Sequence, residues 1–248
     1  MKVFSLGSPF GKEPCEALAR GLGCEHIKGG HAEWKENPLV VWGQLRGAKE
    51  ILSGKSHFYR MDHAYMKRLD YYRLTRNDFQ PSRIVERPSD RWEVLKKKYS
   101  LKVGGWRKGK NVVVALSDQR TYDYFGVKDW PDWVAGQIKA NTDRPVVMRS
   151  RAEQRPLAED LKDAWCLVTY ASNSVIEALL AGVPVFPLGP SISRPMGYSD
   201  LANLEAPHYP ENRDEFLRHV AYCQFTMDEF RSGYALKTAD ETWASGMH

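Results

Sequence analysis

Short apolar runs alternate along the chain with segments of helical period. In the first half Val3–Leu6, Pro38–Trp42, His57–Asp62 and Tyr71–Thr75 read as strands. Alternation along these strands predicts core positions for Phe58 and for Tyr71 or Tyr72. Pro14–Leu22 reads as a helix, with Pro14 in its first turn and Gly23 beyond its end. Ala48–Leu52 reads as a short helix closed by Gly54, and Arg91–Tyr99 as a longer one capped by Ser89 or Asp90. The second half repeats the rhythm: strand Asn111–Leu116, helix Trp130–Asn141, strand Val146–Arg149, short helix Leu157–Lys162. Asp214–Phe225 and Met227–Ser232 read as closing helices. Strands alternating with helices predict an α/β protein with mostly parallel sheets and crossover helices, here two Rossmann-like lobes facing a cleft. Lys102–Lys110, KVGGWRKGK, is rich in Gly and Lys and reads as the interlobe linker. The expected division is residues 1–108, residues 109–230 and a tail over 231–248.

One stretch carries more detail than the rest. Leu167–Phe186, LVTYASNSVIEALLAGVPVF, reads as a buried strand, a small polar turn, a helix with an apolar face, a break at Gly182 and a second strand. A helix that starts at the carboxyl end of a parallel strand offers N–H groups and a positive dipole end to an anion. Ser172, Asn173 and Ser174 add hydroxyls and an amide there. The pattern suits a bound phosphate; a capped, tightly packed βαβ corner without a ligand suits it too.

Composition narrows the classes. Hydrophobic residues make up 42% of 248 and charged residues 27%, as in ordinary globular proteins. No run approaches the roughly 18 apolar residues of a membrane span, and the N-terminal apolar stretch is too short for a signal peptide. Cys15, Cys24, Cys166 and Cys223 are scattered without a CxxC pair, which fits a reducing cytoplasm. The net charge of +5 hides a division: residues 1–110 hold 23 Lys and Arg against 12 Asp and Glu, and the remainder 13 against 19. A basic half points to a polyanion such as nucleic acid; a solvated basic surface is the plainer reading. There is no GxGxxG, Walker A loop or GxSxG elbow, so oxidoreductase, kinase and serine-hydrolase readings lose their usual anchors.

On these residues the second half resembles the nucleotide-sugar lobe of GT-B glycosyltransferases, with likeness to bacterial capsule, Kdo-type and glycerophosphate transferases. There a Ser/Thr-rich turn opens a helix ending in EAL..G.PV. The first half, with FYRMDHAYMKR and YYRLTRN, resembles short phage-encoded glycosyltransferases. Epimerases of the same fold share the turn. The resemblance implies a nucleotide-sugar co-substrate, a UDP-sugar favoured, and no tightly bound cofactor. It implies that Ser172, Asn173 and Ser174 cradle the phosphates, and that Glu177 meets ribose or sugar hydroxyls. Arg149, ending a strand at the same rim, is then expected to neutralise the diphosphate, or else to pair with a nearby acid. Ser117 and Arg194 join the donor side, Ser117 at a strand end and Arg194 on the loop Gly189–Tyr198. No Asp-x-Asp is present, so the expected chemistry is metal-independent, with positive charge from Arg, Lys and a helix dipole.

Sugar transfer also needs a base for the acceptor hydroxyl if the reaction inverts. Asp62 and His63 lie at a strand's carboxyl end, where open α/β sheets bind ligands. His31, in GGHAEW, is the third candidate. Arg60, Tyr65, Lys67, Arg68, Arg73 and Arg76 mix cations with aromatics, a combination that suits phosphate contacts and base stacking. With the phage resemblance this favours DNA carrying 5-hydroxymethylpyrimidines as acceptor, in the host cytoplasm. A saccharide or cell-envelope acceptor, a sugar-nucleotide epimerase and a non-catalytic DNA-binding protein are the alternatives.

Overall fold

Ten strands fall into two sheets among the residues described by the computed structural model, which are 1–5, 7–28, 38–44, 52–150, 152–153 and 155–245. The first sheet has the order β10-β5-β4-β3-β1-β2, from β1 (Lys2–Phe4), β2 (Glu25–Ile27), β3 (Leu39–Trp42), β4 (Phe58–His63), β5 (Tyr72–Arg76) and β10 (Gln224–Phe225). Strands β2, β1, β3 and β4 run parallel, but β5 is antiparallel to β4 and β10 to β5. The expectation of parallel strands fails at β4 and β5 for a steric reason. The chain between them is too short for a crossover, which takes a dozen residues or more.

Helices α1 (Lys12–Leu22), α8 (Met227–Arg231) and α9 (Tyr234–Ser245) complete this unit. Its core joins Val3, Leu18, Val40, Tyr59, Met61, Tyr72 and Leu74 of the sheet and α1 to Phe225, Phe230, Ala235 and Ala239. Tyr59 rather than Phe58 faces this core, while Tyr71 and Tyr72 are both buried. At Gly21 a Cβ would collide with the carbonyls of Phe230 and Arg231, so glycine sets how closely α1 approaches α8.

The second sheet is all parallel, in the order β7-β6-β8-β9, from β6 (Asn111–Ala115), β7 (Val146–Arg149), β8 (Ala164–Thr169) and β9 (Val185–Pro187). This unit also holds α2 (Asp90–Tyr99), α3 (Gln119–Phe125), α4 (Trp130–Asn141), α5 (Leu157–Leu161) and α6 (Ser174–Ala181), while α7 (Arg213–Tyr222) begins in it and ends in the first. One core cluster packs Val112, Val114, Cys166, Val168 and Phe186 against Tyr122, Trp130, Val134 and Ile138.

The units divide differently from the sequence expectation. The first holds Met1–Pro81, Val85–Arg87 and His219–His248, and the second holds Ser82–Ile84 and Pro88–Arg218. Residues 102–110 are no free linker. Gly104 N–H donates to Leu180 O, Arg107 N–H to Gly182 O and Lys110 N–H to Asp163 O, so the segment is strapped along the second unit. Of the expected tail over 231–248, the described residues to 245 include α9, which packs on β5 as part of the first unit. The expected helix Ala48–Leu52 lies outside the described residues except for Leu52. No helix among the described residues is long and apolar enough to cross a membrane.

Candidate functional site

In the second unit the carboxyl ends of β6 and β8 carry a connected set of polar groups. Thr169, the last residue of β8, donates its hydroxyl to Ala115 O at 2.6 Å and is fully buried. Ser172 N–H donates to Thr169 Oγ1 at 3.4 Å, Ala171 N–H to Ser117 Oγ at 3.4 Å, and Ser174 N–H to Ser172 Oγ at 3.3 Å. Ser117 is held in turn by its own N–H, which donates to Tyr122 Oη at 3.0 Å. Ser117 is therefore brought against the turn Ser172, Asn173 and Ser174 at the start of α6.

Asn173 is the residue before that helix and makes no side-chain cap bond to it. The Ser174 hydroxyl is shielded from solvent and has no hydrogen-bond partner among the described residues. A buried hydroxyl without a partner costs about 1–3 kcal/mol, so this atom fits a ligand oxygen better than an empty corner. Glu177 projects from α6 as an exposed residue. Arg194 is exposed on a 3-10 turn, Arg194–Met196, beyond β9.

Arg149 ends β7 beside Ala115, at the same rim. Its guanidinium does not face the turn as a free cation. It is bound to Asp160 Oδ2 at 2.6 Å and to Arg155 O at 2.5 Å, while Arg155 takes the other Asp160 oxygen at 2.8 Å. The expectation of a diphosphate contact gives way to the ion pair weighed beside it, because α5 brings a carboxylate that is only 7% exposed. Two guanidiniums on one carboxylate still leave one net positive charge. A surface hollow lined by Lys139, Arg144 and Glu205 lies before the start of β7, at the opposite edge of the sheet.

In the first unit β4 and β5 place Asp62 directly opposite Arg73, and the pair closes at 2.8 Å. Arg60 and Thr75 continue that face, where Phe79 lies 5.0 Å from the Arg60 guanidinium and 5.2 Å from that of Arg73. Arg60 is 1% exposed and donates to Gly43 O at 3.1 Å; Arg73 is 3% exposed and also lies over the buried Tyr65 ring. Arg76 pairs with Asp240 at 2.9 Å and stacks on Trp243 at 4.1 Å. Four of the six expected acceptor contacts are thus engaged inside the unit: Arg60, Arg73 and Tyr65 about Phe79 on one face, and Arg76 on the opposite face against α9. Lys67 and Arg68 are exposed.

Successive strand residues point to opposite faces, which separates the two leading base candidates. Asp62 faces Arg60 and Arg73. His63 faces the other way, against Trp42 at 5.5 Å and Phe10 at 5.4 Å. Burial works to raise the Asp62 pKa. The Arg73 guanidinium, the His63 N–H at 2.7 Å and the His63 and Arg60 charges outweigh it and hold the carboxyl below its ordinary value. His31 lies outside the described residues.

Thermosulfurimonas dismutans KpsC, described as a β-Kdo 2,7 transferase, matches the chain with a TM-score of 0.55, over 97% of this chain and 99% of that one. The fold is GT-B-like. At 11% identity the likeness speaks to the fold alone. Aspartate transcarbamoylase from Trypanosoma cruzi, at 10% identity over 89% of this chain and 81% of that one, has a TM-score of 0.26, too low to carry an argument. No protein-family model and no curated protein matches the chain. Within the GT-B-like fold, sequence reasoning found the 172–174 turn but missed Thr169 and Tyr122, which hold it. Thr169 had a signal, as the polar end of an apolar run. Tyr122 had none, because its bond to Ser117 depends on how α3 leaves β6.

Proposed function

We propose that this chain moves a sugar from a nucleotide-sugar donor to a hydroxyl acceptor. The observation that carries the reading is the partnerless, shielded Ser174 hydroxyl at the start of α6, beside an all-parallel sheet's carboxyl edge. A donor phosphate there receives the Ser174 hydroxyl and lies at the positive end of the helix dipole. As the sugar's bond to the leaving diphosphate breaks, charge grows on the phosphate oxygens, and fixed donors already aimed at it stabilise it. Ser172 and Asn173 flank that position, and Ser117 fixes the turn. The surplus charge of Arg149, Arg155 and Asp160 adds a favourable field at the rim. Glu177 reaches for ribose or sugar hydroxyls, and Arg194 for the diphosphate. A UDP-sugar is the favoured donor, and the chemistry draws on these groups rather than on a metal. KpsC, by its description a sugar transferase, is in keeping with this reading.

On the acceptor side we rank His63 above Asp62 as the base. The Asp62 carboxylate already accepts from Arg73 and from the His63 N–H, which makes it a poor proton acceptor. Imidazole is the side-chain type that exchanges a proton near neutral pH. A saccharide hydroxyl is our first acceptor. Hydroxymethylated DNA is second, resting on the basic excess of residues 1–110 and on the exposed Lys67 and Arg68, since Arg60 and Arg73 are drawn inside. Labelled nucleotide sugars offered with saccharides, hydroxymethylated DNA and plain DNA separate the two. Label on saccharide supports the first reading, and label on modified DNA alone the second. A protein that binds no nucleotide sugar, or binds it equally well after Ser174→Ala, refutes the donor site.

A further inference from the structure

His63 closes β4 in a corner of aromatic rings. Trp42, the last residue of β3, meets its ring edge-on at 5.5 Å and 82° and is buried. Phe10 meets it at 5.4 Å and 62°, yet is 57% exposed. The turn between β1 and α1 holds Phe10 in that position. Ser8 N–H donates to Ser5 O at 3.0 Å, and Gly11 N–H reaches the Ser8 hydroxyl at 3.2 Å and its carbonyl at 3.3 Å. Gly11 sits so close to Trp42 that a Cβ would overlap the indole. A phenyl ring pinned outward in this way forgoes the burial that most such rings find. It does so at the carboxyl ends of β1, β3 and β4, the edge where open α/β sheets take ligands.

We infer that Phe10 and His63 form the acceptor subsite and that its occupant is a pyranose ring. The inference rests on the sugar transfer proposed above and names its acceptor side. The two rings meet at 62°, making a corner rather than a slot. A flat base gains most from parallel stacking. A puckered sugar ring has an apolar C–H face for Phe10 and hydroxyls at its rim for the imidazole. In transfer, the acceptor oxygen bonds to the donor's anomeric carbon while the bond from that carbon to the diphosphate oxygen breaks. The electron pair leaves with the diphosphate, and the hydroxyl proton passes to a ring nitrogen of His63.

Saturation-transfer NMR with the methyl pyranosides of glucose, galactose and mannose tests this directly, with nucleotide-sugar turnover measured separately. Wild-type protein is expected to saturate the C–H face of at least one pyranoside. Phe10→Ala should weaken that binding about tenfold, ~1.4 kcal/mol, while Phe10→Tyr retains it and Ser174→Ala leaves it unchanged. In turnover, Phe10→Ala should raise the acceptor KM and leave the donor KM alone. Because Phe10 is exposed, the alanine variant should keep the wild-type thermal midpoint. Equal binding by wild type and Phe10→Ala overturns the subsite, as does binding of no pyranoside or preference for a free hydroxymethylpyrimidine nucleoside. Pyranoside binding lost with Phe10, in a protein that consumes no nucleotide sugar, upholds the subsite and sinks the transferase reading instead.

Discussion

Replacing Arg73 by Met should expose what the Asp62–Arg73 pair does for the first unit. The two side chains are 17% and 4% exposed and meet at 2.8 Å. Met fills much of the Arg73 stem volume against Phe79 and Tyr65 but leaves a carboxylate without its main partner. Breaking a buried pair from one side costs about 3–5 kcal/mol. Asp62 keeps the His63 N–H at 2.7 Å and the nearby Arg60 charge, so we expect about 3 kcal/mol, near the lower bound. In the wild type the folded Asp62 pKa lies below its unfolded value, so its contribution is present above the unfolded pKa and fades as the pH falls through the folded one. In Arg73→Met burial acts with less opposition, the folded pKa moves up, and the sign reverses. Protonation then relieves the variant, and its deficit shrinks as the pH falls toward the ordinary carboxylate range, about 4. Asp62→Asn added to Arg73→Met removes the stranded charge and should recover more than half of the loss. Urea denaturation at a series of pH values, read by tryptophan fluorescence, gives each quantity. A deficit under about 1 kcal/mol, or one that does not change with pH, would refute the reasoning.

Three further outcomes follow from other parts of the fold. His219 is fully buried, accepts the Val85 N–H on Nδ1, and has its pKa lowered to about 4 by burial and by Arg87. Stability should therefore fall as the pH drops from about 6.5 toward that value, and His219→Gln should flatten this limb in pH-dependent denaturation. Gly182 has φ of 76°, and a Cβ there would collide with Gly105 O, so Gly182→Ala should cost about 2 kcal/mol or more in a denaturant melt. Asp240→Ala removes the acceptor of both Tyr59 Oη at 2.7 Å and Arg76 at 2.9 Å. Amide exchange over residues 234–245 should quicken, with a loss of about 1–3 kcal/mol.

Much of the second unit was legible where a strand is an apolar run or a helix is marked by a proline at its start or a glycine at its end. Helix Trp130–Asn141 and strand Val146–Arg149 match the expected bounds, and Gly182 does end α6 in the left-handed region. What escaped notice depends on distant partners. Helix α9 buries Ala235, Thr238, Ala239 and Thr242, a helical spacing written in residues too small or polar to count as an apolar stripe. Strand β10 is two residues long and is defined only by pairing with β5. The glycines of 102–110 suggested slack, yet at Gly109 a side chain would strike the Asp163 backbone. The arginines of β4 and β5 misled in another way. Their alternation was visible, but not that Phe79 and Tyr65 would cover the polar face.

The return of the chain to the first unit has a consequence for synthesis. Strand β5 ends at residue 76, and its neighbour β10 is not translated until residues 224–225. At ~5–20 residues per second the nascent β5 edge waits roughly 7–30 seconds for its partner. During that interval residues 88–218 are synthesised as a continuous stretch holding all four strands of their own sheet. The second unit in sequence is therefore the first able to finish folding, and a release that stops translation before residue 224 leaves β5 as an unpaired edge open to aggregation.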